Sequence, residues 1–308
     1  MDVTRVVIDT DPGVDDAVAI LLALASPELD VLALTTVAGN VSLAATTLNA
    51  RRLIELAGRT DVIVATGSGA ALTGPIDREG GVHGHDGLGD LVWDEPGVAL
   101  DARDGPDVIW ELLDTGPLSL VAIGPLTNLA VLLERHPEVA QRVQRVVVMG
   151  GSSFHGNVTP AAEFNVWADP EAAARVFAAP WPLTVMPLDL THQATLNDGD
   201  LDYLRALGTG VGQRVADMLE PYAAFHDRWY GTRDVFMHDA MAVYELIDPT
   251  AISKQGAAVE VETRGDHSRG ATWFDRRLTH AQSSVRVGVT VDNGRFVALV
   301  RERLALYP

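Results

Sequence analysis

The chain contains no cysteine, which removes disulfides, thiol nucleophiles and Cys-ligated zinc or iron–sulfur sites from consideration. Positive charge is also scarce. There is one lysine, Lys254, and 23 Lys and Arg face 42 Asp and Glu, for a formal net charge of −19. Nucleic acid and anionic membranes call for a basic surface, so neither is expected as a partner. A polyanionic substrate is disfavoured unless a local basic pocket or a metal offsets the field, and a neutral small molecule fits better. Long apolar runs are missing too. Ala17–Ala25 is far too short to span a bilayer. Met1–Arg5 runs straight into an apolar strand-like segment without a signal-peptide pattern, so a cytoplasmic location is expected.

What is present is ample apolar material, 47% of 308 residues, enough for a sizeable core and against global disorder. Val6–Ile8, Val31–Val37, Val62–Ala65, Leu118–Ile123, Arg145–Met149 and Leu183–Met186 read as strands. Asp15–Ala25, Leu43–Gly58, Pro106–Asp114, Leu126–Glu134 and Pro170–Ala179 read as helices between them. Such alternation predicts an α/β fold with a mainly parallel sheet flanked by helices. Residues 198–247 read as helical without clear strands. Ala257–Glu262, Ala271–Phe274 and Val285–Val289 return to strand, and a last helix starts near Asp292. No linker or internal repeat interrupts residues 1–308, so one domain is expected. Gly74–Gly89, rich in glycine and poor in aromatics, reads as a mobile loop of the kind that closes over sites.

The densest chemistry lies in Ile8-Asp9-Thr10-Asp11-Pro12-Gly13-Val14-Asp15-Asp16, where four carboxylates crowd into a strand–turn–helix junction. Capping and the helix dipole account for one or two of them. Four packed carboxylates repel unless one takes a proton or a cation sits among them, and an all-oxygen set suits Ca²⁺ or Mg²⁺ over zinc. Further polar segments each follow a predicted strand: Gly39-Asn40, Gly124-Pro125-Leu126-Thr127-Asn128, Gly150-Gly151 with Asn157, and Glu163-Phe164-Asn165. His238-Asp239 opens a late helix. Strand ends are where open α/β sheets bind ligands. Taken singly, Asn40, Thr127 and Asn128 read as turn or cap residues, and Gly150-Gly151 as a tight turn or phosphate nest. His83 in its loop reads as exposed, and Tyr222, Phe225, Trp229 and Tyr230, at helical spacing, as core or partner contacts.

Taken together, these segments resemble the nucleoside hydrolase family, which cleaves the N-glycosidic bond of ribonucleosides. The resemblance rests on Asp9-Thr10-Asp11-Pro12-Gly13-Val14-Asp15-Asp16-Ala17, Gly39-Asn40, Gly124–Asn128, Val148–Gly151, Glu163–Asn165, Leu188-Asp189-Leu190-Thr191-His192 and His238-Asp239, in order along nearly the whole chain. It implies a Rossmann-like sheet with a smaller helical region toward the C-terminal third, and Ca²⁺ held by Asp11, Asp16, Asp239 and the main-chain carbonyl of Thr127. It further implies Asp11 as general base and His238 as leaving-group acid, with His83 the second candidate. Asp15 and Asn40 would hold the 2′/3′ edge of ribose, and Asn157, Glu163 and Asn165 its 5′ and 3′ edges. Met149 and Phe164 would pack on the ring, and His83, His226 and Tyr230 would line the base pocket. His226 departs from the Tyr or Gln of better-known subgroups. A pyrimidine or broad base preference, a salvage role and a homodimer or homotetramer are the remaining expectations. Two alternatives compete. Asp9-x-Asp11 after a first strand resembles haloacid-dehalogenase-like phosphatases, although Gly13 stands where Thr or Val belongs and Lys254 is the one lysine available for phosphate. A non-catalytic ribonucleoside sensor would keep the metal ligands and need neither base nor acid.

Overall fold

The structure is a computed structural model and describes residues 3–76, 81–280 and 283–308. The first unit is β1 (Thr4–Thr10), α1 (Val14–Leu24), β2 (Leu29–Thr36), α2 (Leu43–Leu56) and β3 (Ile63–Thr66). The chain continues through α3 (Gly105–Leu112), β4 (Ser119–Ala122), α4 (Thr127–Arg135), α5 (Val139–Arg142) and β5 (Arg145–Met149). Next come α6 (Phe164–Ala168), α7 (Pro170–Ala178), β6 (Leu183–Met186) and α8 (Leu188–Thr191). A mostly helical stretch follows: β7 (Thr195–Leu196), α9 (Asp198–Ala206), α10 (Gly210–Tyr230), β8 (Val235–Phe236) and α11 (Ala240–Ile247). The chain closes with β9 (Ile252–Gly256), β10 (Ala258–Val261), β11 (Thr272–Asp275), β12 (Val285–Val291) and α12 (Asn293–Leu304).

Eight strands form one sheet in the order β3-β2-β1-β4-β5-β6-β12-β9. All neighbours are parallel except β12 and β9. The sheet is the predicted α/β architecture, buried on both faces. In β1, Val6 and Ile8 join the apolar cluster around α1, while Val7 joins the cluster on the α3 and α4 side. Period-2 alternation of a strand dictates that split. Every residue of α1 is buried, which explains why its sequence is apolar throughout after Asp15 and Asp16.

Two strand readings need correction. Residues 198–247 contain β8, which pairs with β7 through two residues, too short to leave a periodicity. The edge strand β9 was not expected. Its residues Ile252-Ser253-Lys254-Gln255-Gly256 carry little apolar signal because main-chain pairing to β12 holds them. Of the loop Gly74–Gly89, residues 77–80 lie outside the described residues.

The topology also fixes where a site can form. From β1 the chain moves through α1 to β2 and β3, then returns to place β4 on the other flank of β1. The crevice beyond the carboxyl ends of β1 and β4 is therefore the topological switch point of the sheet.

Candidate active site

Asp11 leaves the end of β1 directly into that crevice. Its carboxylate fits because two glycines face it. A Cβ on Gly39 would lie 2.0 Å from Asp11 Oδ2, and one on Gly124 would lie 2.5 Å from Oδ1. Oδ2 accepts a hydrogen bond from the Asn40 main-chain N–H at 2.6 Å. Oδ1 is buried and has no hydrogen-bond partner among the described residues. Buried carboxylate oxygens are rarely left so, and this one is free to meet a ligand, water or cation.

Asp15 and Asp16 stand on the first turn of α1, whose N-cap is Gly13. Asp16 accepts from Thr10 Oγ1 at 2.5 Å and from the Gly13 N–H at 2.9 Å, a local cap geometry. The Asn40 amide donates both to Asp16 at 3.2 Å and to the Asp11 carbonyl at 3.2 Å, tying the two acids together. Asp239, at the start of α11, completes the group. Carboxylate oxygens of Asp15, Asp16 and Asp239 come within 4.8 Å of one another. Asp11 adjoins this trio through Asn40 and is not part of it.

Burial, reinforced by the neighbouring carboxylates, pushes Asp11 and Asp239 well above the usual carboxylate range and Asp15 to about 8. Asp16 is also raised, against the pull of its hydrogen bonds from Thr10 and Gly13. Four such groups stay ionised together only if a cation offsets them. Oxygen-only donors with an orphaned carboxylate oxygen alongside suit a hard divalent cation.

Asp9 does not belong to the cluster, contrary to the reading of four acids as one site. Strand alternation turns it to the same face as Val7, where it accepts from Thr35 Oγ1 at 2.5 Å and Asn128 Nδ2 at 2.7 Å. Asn128 is a buried strut, not a turn residue, since its Oδ1 also accepts the Ser68 N–H at 2.8 Å. Thr127 is not a side-chain cap either. It is the first residue of α4, and its hydroxyl donates to Asp169 at 2.8 Å. Asp169 also accepts from the Leu72 and Ala172 N–H groups, so it braces the crevice from below.

Above the acids opens a cavity of about 480 Å³. Asp15, Asn40, His83, Met149, Asn157, Glu163, Phe164, Asn165, His226 and Tyr230, all expected at a substrate, line it together with His238 and Asp239. Asp11, Asp16 and Thr127 lie buried below its lining. One half is oxygen- and amide-rich. Glu163 caps α6 by accepting from Asn165 N–H at 2.8 Å and Val166 N–H at 3.2 Å, and it also takes the Gly151 N–H at 2.9 Å. Gly151, at φ +77°, thus serves the Glu163 carboxylate instead of a phosphate. Burial outweighs those bonds and raises Glu163 to about 7. Asn165 Nδ2 donates to the carbonyls of Ile123 and Met149, leaving its Oδ1 for a ligand hydroxyl.

The other half is aromatic and imidazole-rich. His83 is not exposed as its loop suggested: its side chain is 14% exposed, and its ring stacks on Tyr222 at 5.4 Å. Burial and the nearby His226 hold His83 down at about 4, so its 3.8 Å approach to Asp15 is a polar contact and not an ion pair. His238 Nδ1 lies 2.7 Å from Thr191 Oγ1, and burial with the surrounding imidazoles keeps His238 well below its ordinary value. Phe225, Trp229 and Tyr222, assigned to core or partner contacts by spacing alone, line this half as well. Their recurrence on one face of α10 has the spacing of a core face, and the fold sets that face against the cavity. Asp169 and Thr191 gave no sequence signal beyond a cap and a motif neighbour.

The fold is a Rossmann-like α/β sheet with a cavity at its switch point, and the family match below makes the class a hydrolase acting on N-glycosyl bonds. The model of the family described as "Inosine-uridine preferring nucleoside hydrolase" matches residues 6–298, and the chain belongs to that family. It is 40% identical over 306 residues to the "Pyrimidine-specific ribonucleoside hydrolase RihA" of Photobacterium profundum, covering 98% of this chain and 99% of that protein. Among solved structures, a plant nucleoside hydrolase superposes with a TM-score of 0.92 at 36% identity, covering 98% and 99% of the two chains. The purine-preferring ribonucleoside hydrolase of Gardnerella vaginalis gives 0.92 at 31%, covering 98% of each. Family membership overturns the phosphatase alternative, and Lys254 is spent on an ion pair with Glu245 at 2.7 Å. No helix among the described residues is long and apolar enough to cross a membrane.

Proposed function

We propose that the chain is a Ca²⁺-dependent ribonucleoside hydrolase with a pyrimidine-leaning or broad base preference and a role in nucleoside salvage. The observation that carries this reading is the orphaned Asp11 Oδ1 beside the Asp15–Asp16–Asp239 cluster, beneath a cavity with an oxygen-rich and an aromatic half. The similarity to a pyrimidine-specific relative supports the base preference. Asp11, Asp16, Asp239 and the Thr127 carbonyl would hold the cation, with Asp15 either joining them or meeting ribose. When bound, Ca²⁺ neutralises the acids and gathers oxygen donors in a flexible geometry. The same resemblance carries the proposals of a single domain, a cytoplasmic location and a homodimer or homotetramer.

The residues divide the chemistry between them. Asp15 and Asn40 hold the 2′ and 3′ hydroxyls, while Asn157, Glu163 and Asn165 hold the remaining ribose edge. Met149 and Phe164 pack on the ring. Asp11 takes a proton from the water that attacks C1′. The C1′–N electron pair passes to the base, which receives a proton from His238, or from His83. Positive charge that builds on the ribose ring is stabilised by the surrounding carboxylates.

The deciding experiment measures ribose release from uridine, cytidine, inosine, adenosine and 2′-deoxyuridine, each with Ca²⁺ and with chelator. Metal-dependent release from ribonucleosides, with the deoxy compound inert, is expected. Activity that survives chelation rejects the cation, and equal release from 2′-deoxyuridine rejects the hydroxyl contacts.

A further inference from the structure

We propose that His226 is a fixed hydrogen-bond acceptor in the base half of the cavity, so that the enzyme selects nucleosides whose base presents an N–H to it. This rests on the ribonucleoside reading above and adds the polarity of the base pocket. His226 Nδ1 lies 2.9 Å from the main-chain carbonyl of Asp234. A carbonyl only accepts, so the proton of the neutral ring sits on Nδ1 and Nε2 keeps its lone pair. Among the described residues Nε2 takes no hydrogen bond, while the ring lines the cavity.

Rotation of the ring is blocked. His226 is 1% exposed and is walled by Tyr222 at 4.5 Å, Phe236 at 4.9 Å and Tyr230 at 5.3 Å. Turning it would also strand the Asp234 carbonyl. Burial depresses its affinity for a second proton, which preserves the acceptor. Across the pocket His83 is locked the opposite way. The Val14 N–H donates to its Nδ1 at 3.1 Å, so its proton sits on Nε2 and it can donate. The pocket therefore offers one acceptor and one donor of set polarity. Uracil N3–H, the cytosine amino group and hypoxanthine N1–H each satisfy an acceptor, and N-methylation at those positions removes the donor.

The test compares kcat/KM for three pairs: uridine and 3-methyluridine, cytidine and N4,N4-dimethylcytidine, and inosine and 1-methylinosine. It uses the intact enzyme, His226→Phe and His226→Gln, with melting temperatures to confirm folding. The unsubstituted enzyme is expected to prefer a parent nucleoside by at least about tenfold. His226→Phe should lower that parent to the level of its methylated partner, bringing the ratio near one. His226→Gln, whose amide oxygen still accepts, should retain most of the preference. A ratio that persists in His226→Phe means the methyl group is excluded by bulk and overturns the proposal. Equal turnover of parent and methylated compounds by the unsubstituted enzyme overturns it as well, while leaving the hydrolase activity standing. No release from any parent removes the ribonucleoside reading and this proposal with it.

Discussion

Thr191 places its hydroxyl 2.7 Å from Nδ1 of His238, and that hydroxyl has no other partner among the described residues. The contact holds the ring in place, and when Thr191 donates, Nε2–H is left to hydrogen-bond a leaving base. His238→Ala should then lower kcat on natural nucleosides by about 10²- to 10⁴-fold and spare p-nitrophenyl riboside, whose leaving group needs no proton. Thr191→Val should reproduce part of that split, and Thr191→Ser should restore it. Equal losses on both substrate types would move the pair to a structural role.

Asp11→Ala is expected to abolish turnover of every nucleoside, because the Asp11 carboxylate is the group that Gly39 and Gly124 both face. Retention of more than a few per cent of activity, read by ribose release, would rule Asp11 out as the base.

Removing the cation should act on stability as well as on rate. The acids of the cluster are raised by burial and further by one another, so a chelated enzyme keeps that penalty uncompensated. Melting temperature should fall with chelator and recover with Ca²⁺. A ligand at a hundred times its dissociation constant stabilises by about 2.7 kcal/mol. A melting temperature indifferent to both additions contradicts a bound ion.

Asp169 braces Thr127, Leu72 and the start of α7 from a fully buried position. Asp169→Ala strands three donors and removes a cap, which should cost about 2–4 kcal/mol in denaturant unfolding. Because Thr127 adjoins the crevice, Ca²⁺ should also bind more weakly in calorimetry. A stability change under about 0.5 kcal/mol would contradict the bracing role.

His192 supplies a pH signature. Burial and the adjacent His155 hold it at about 4, against the opposing pull of Asp189, with His226 adding to the depression. His238 and Tyr230 also face its ring. A depressed value means stability is present above the unfolded value of 6.5 and is lost as pH falls from there through about 4. His192→Phe, packing against Phe236, should flatten the decline of melting temperature between those limits. Parallel curves for the two proteins would refute the assignment.

The switch-point site was legible because its residues follow apolar runs that are strands for local reasons, and Asp11, Asn40 and Thr127 each sit within a few residues past one. What escaped was set by distant partners. Asp9 looks like its neighbours in one dimension, yet strand parity sends it to Asn128, 119 residues away. Strand β9 exists because β12 pairs with it. The aromatic face of α10 has ordinary core spacing, and the cavity opposite it was invisible before the fold closed. The tautomers of His83 and His226 depend on main-chain atoms of Val14 and Asp234, which no side-chain pattern encodes.

Helices α1 and α11 pack together, bringing Asp16 against Asp239 from 223 positions further along the chain. During synthesis, Asp15 and Asp16, with the adjoining Asp11, emerge early and must wait for more than 200 further residues before Asp239 arrives. A partly made chain therefore holds acids without their partner, and the complete cluster exists only late in synthesis. A cation that needs Asp239, as proposed above, can be captured only after that point.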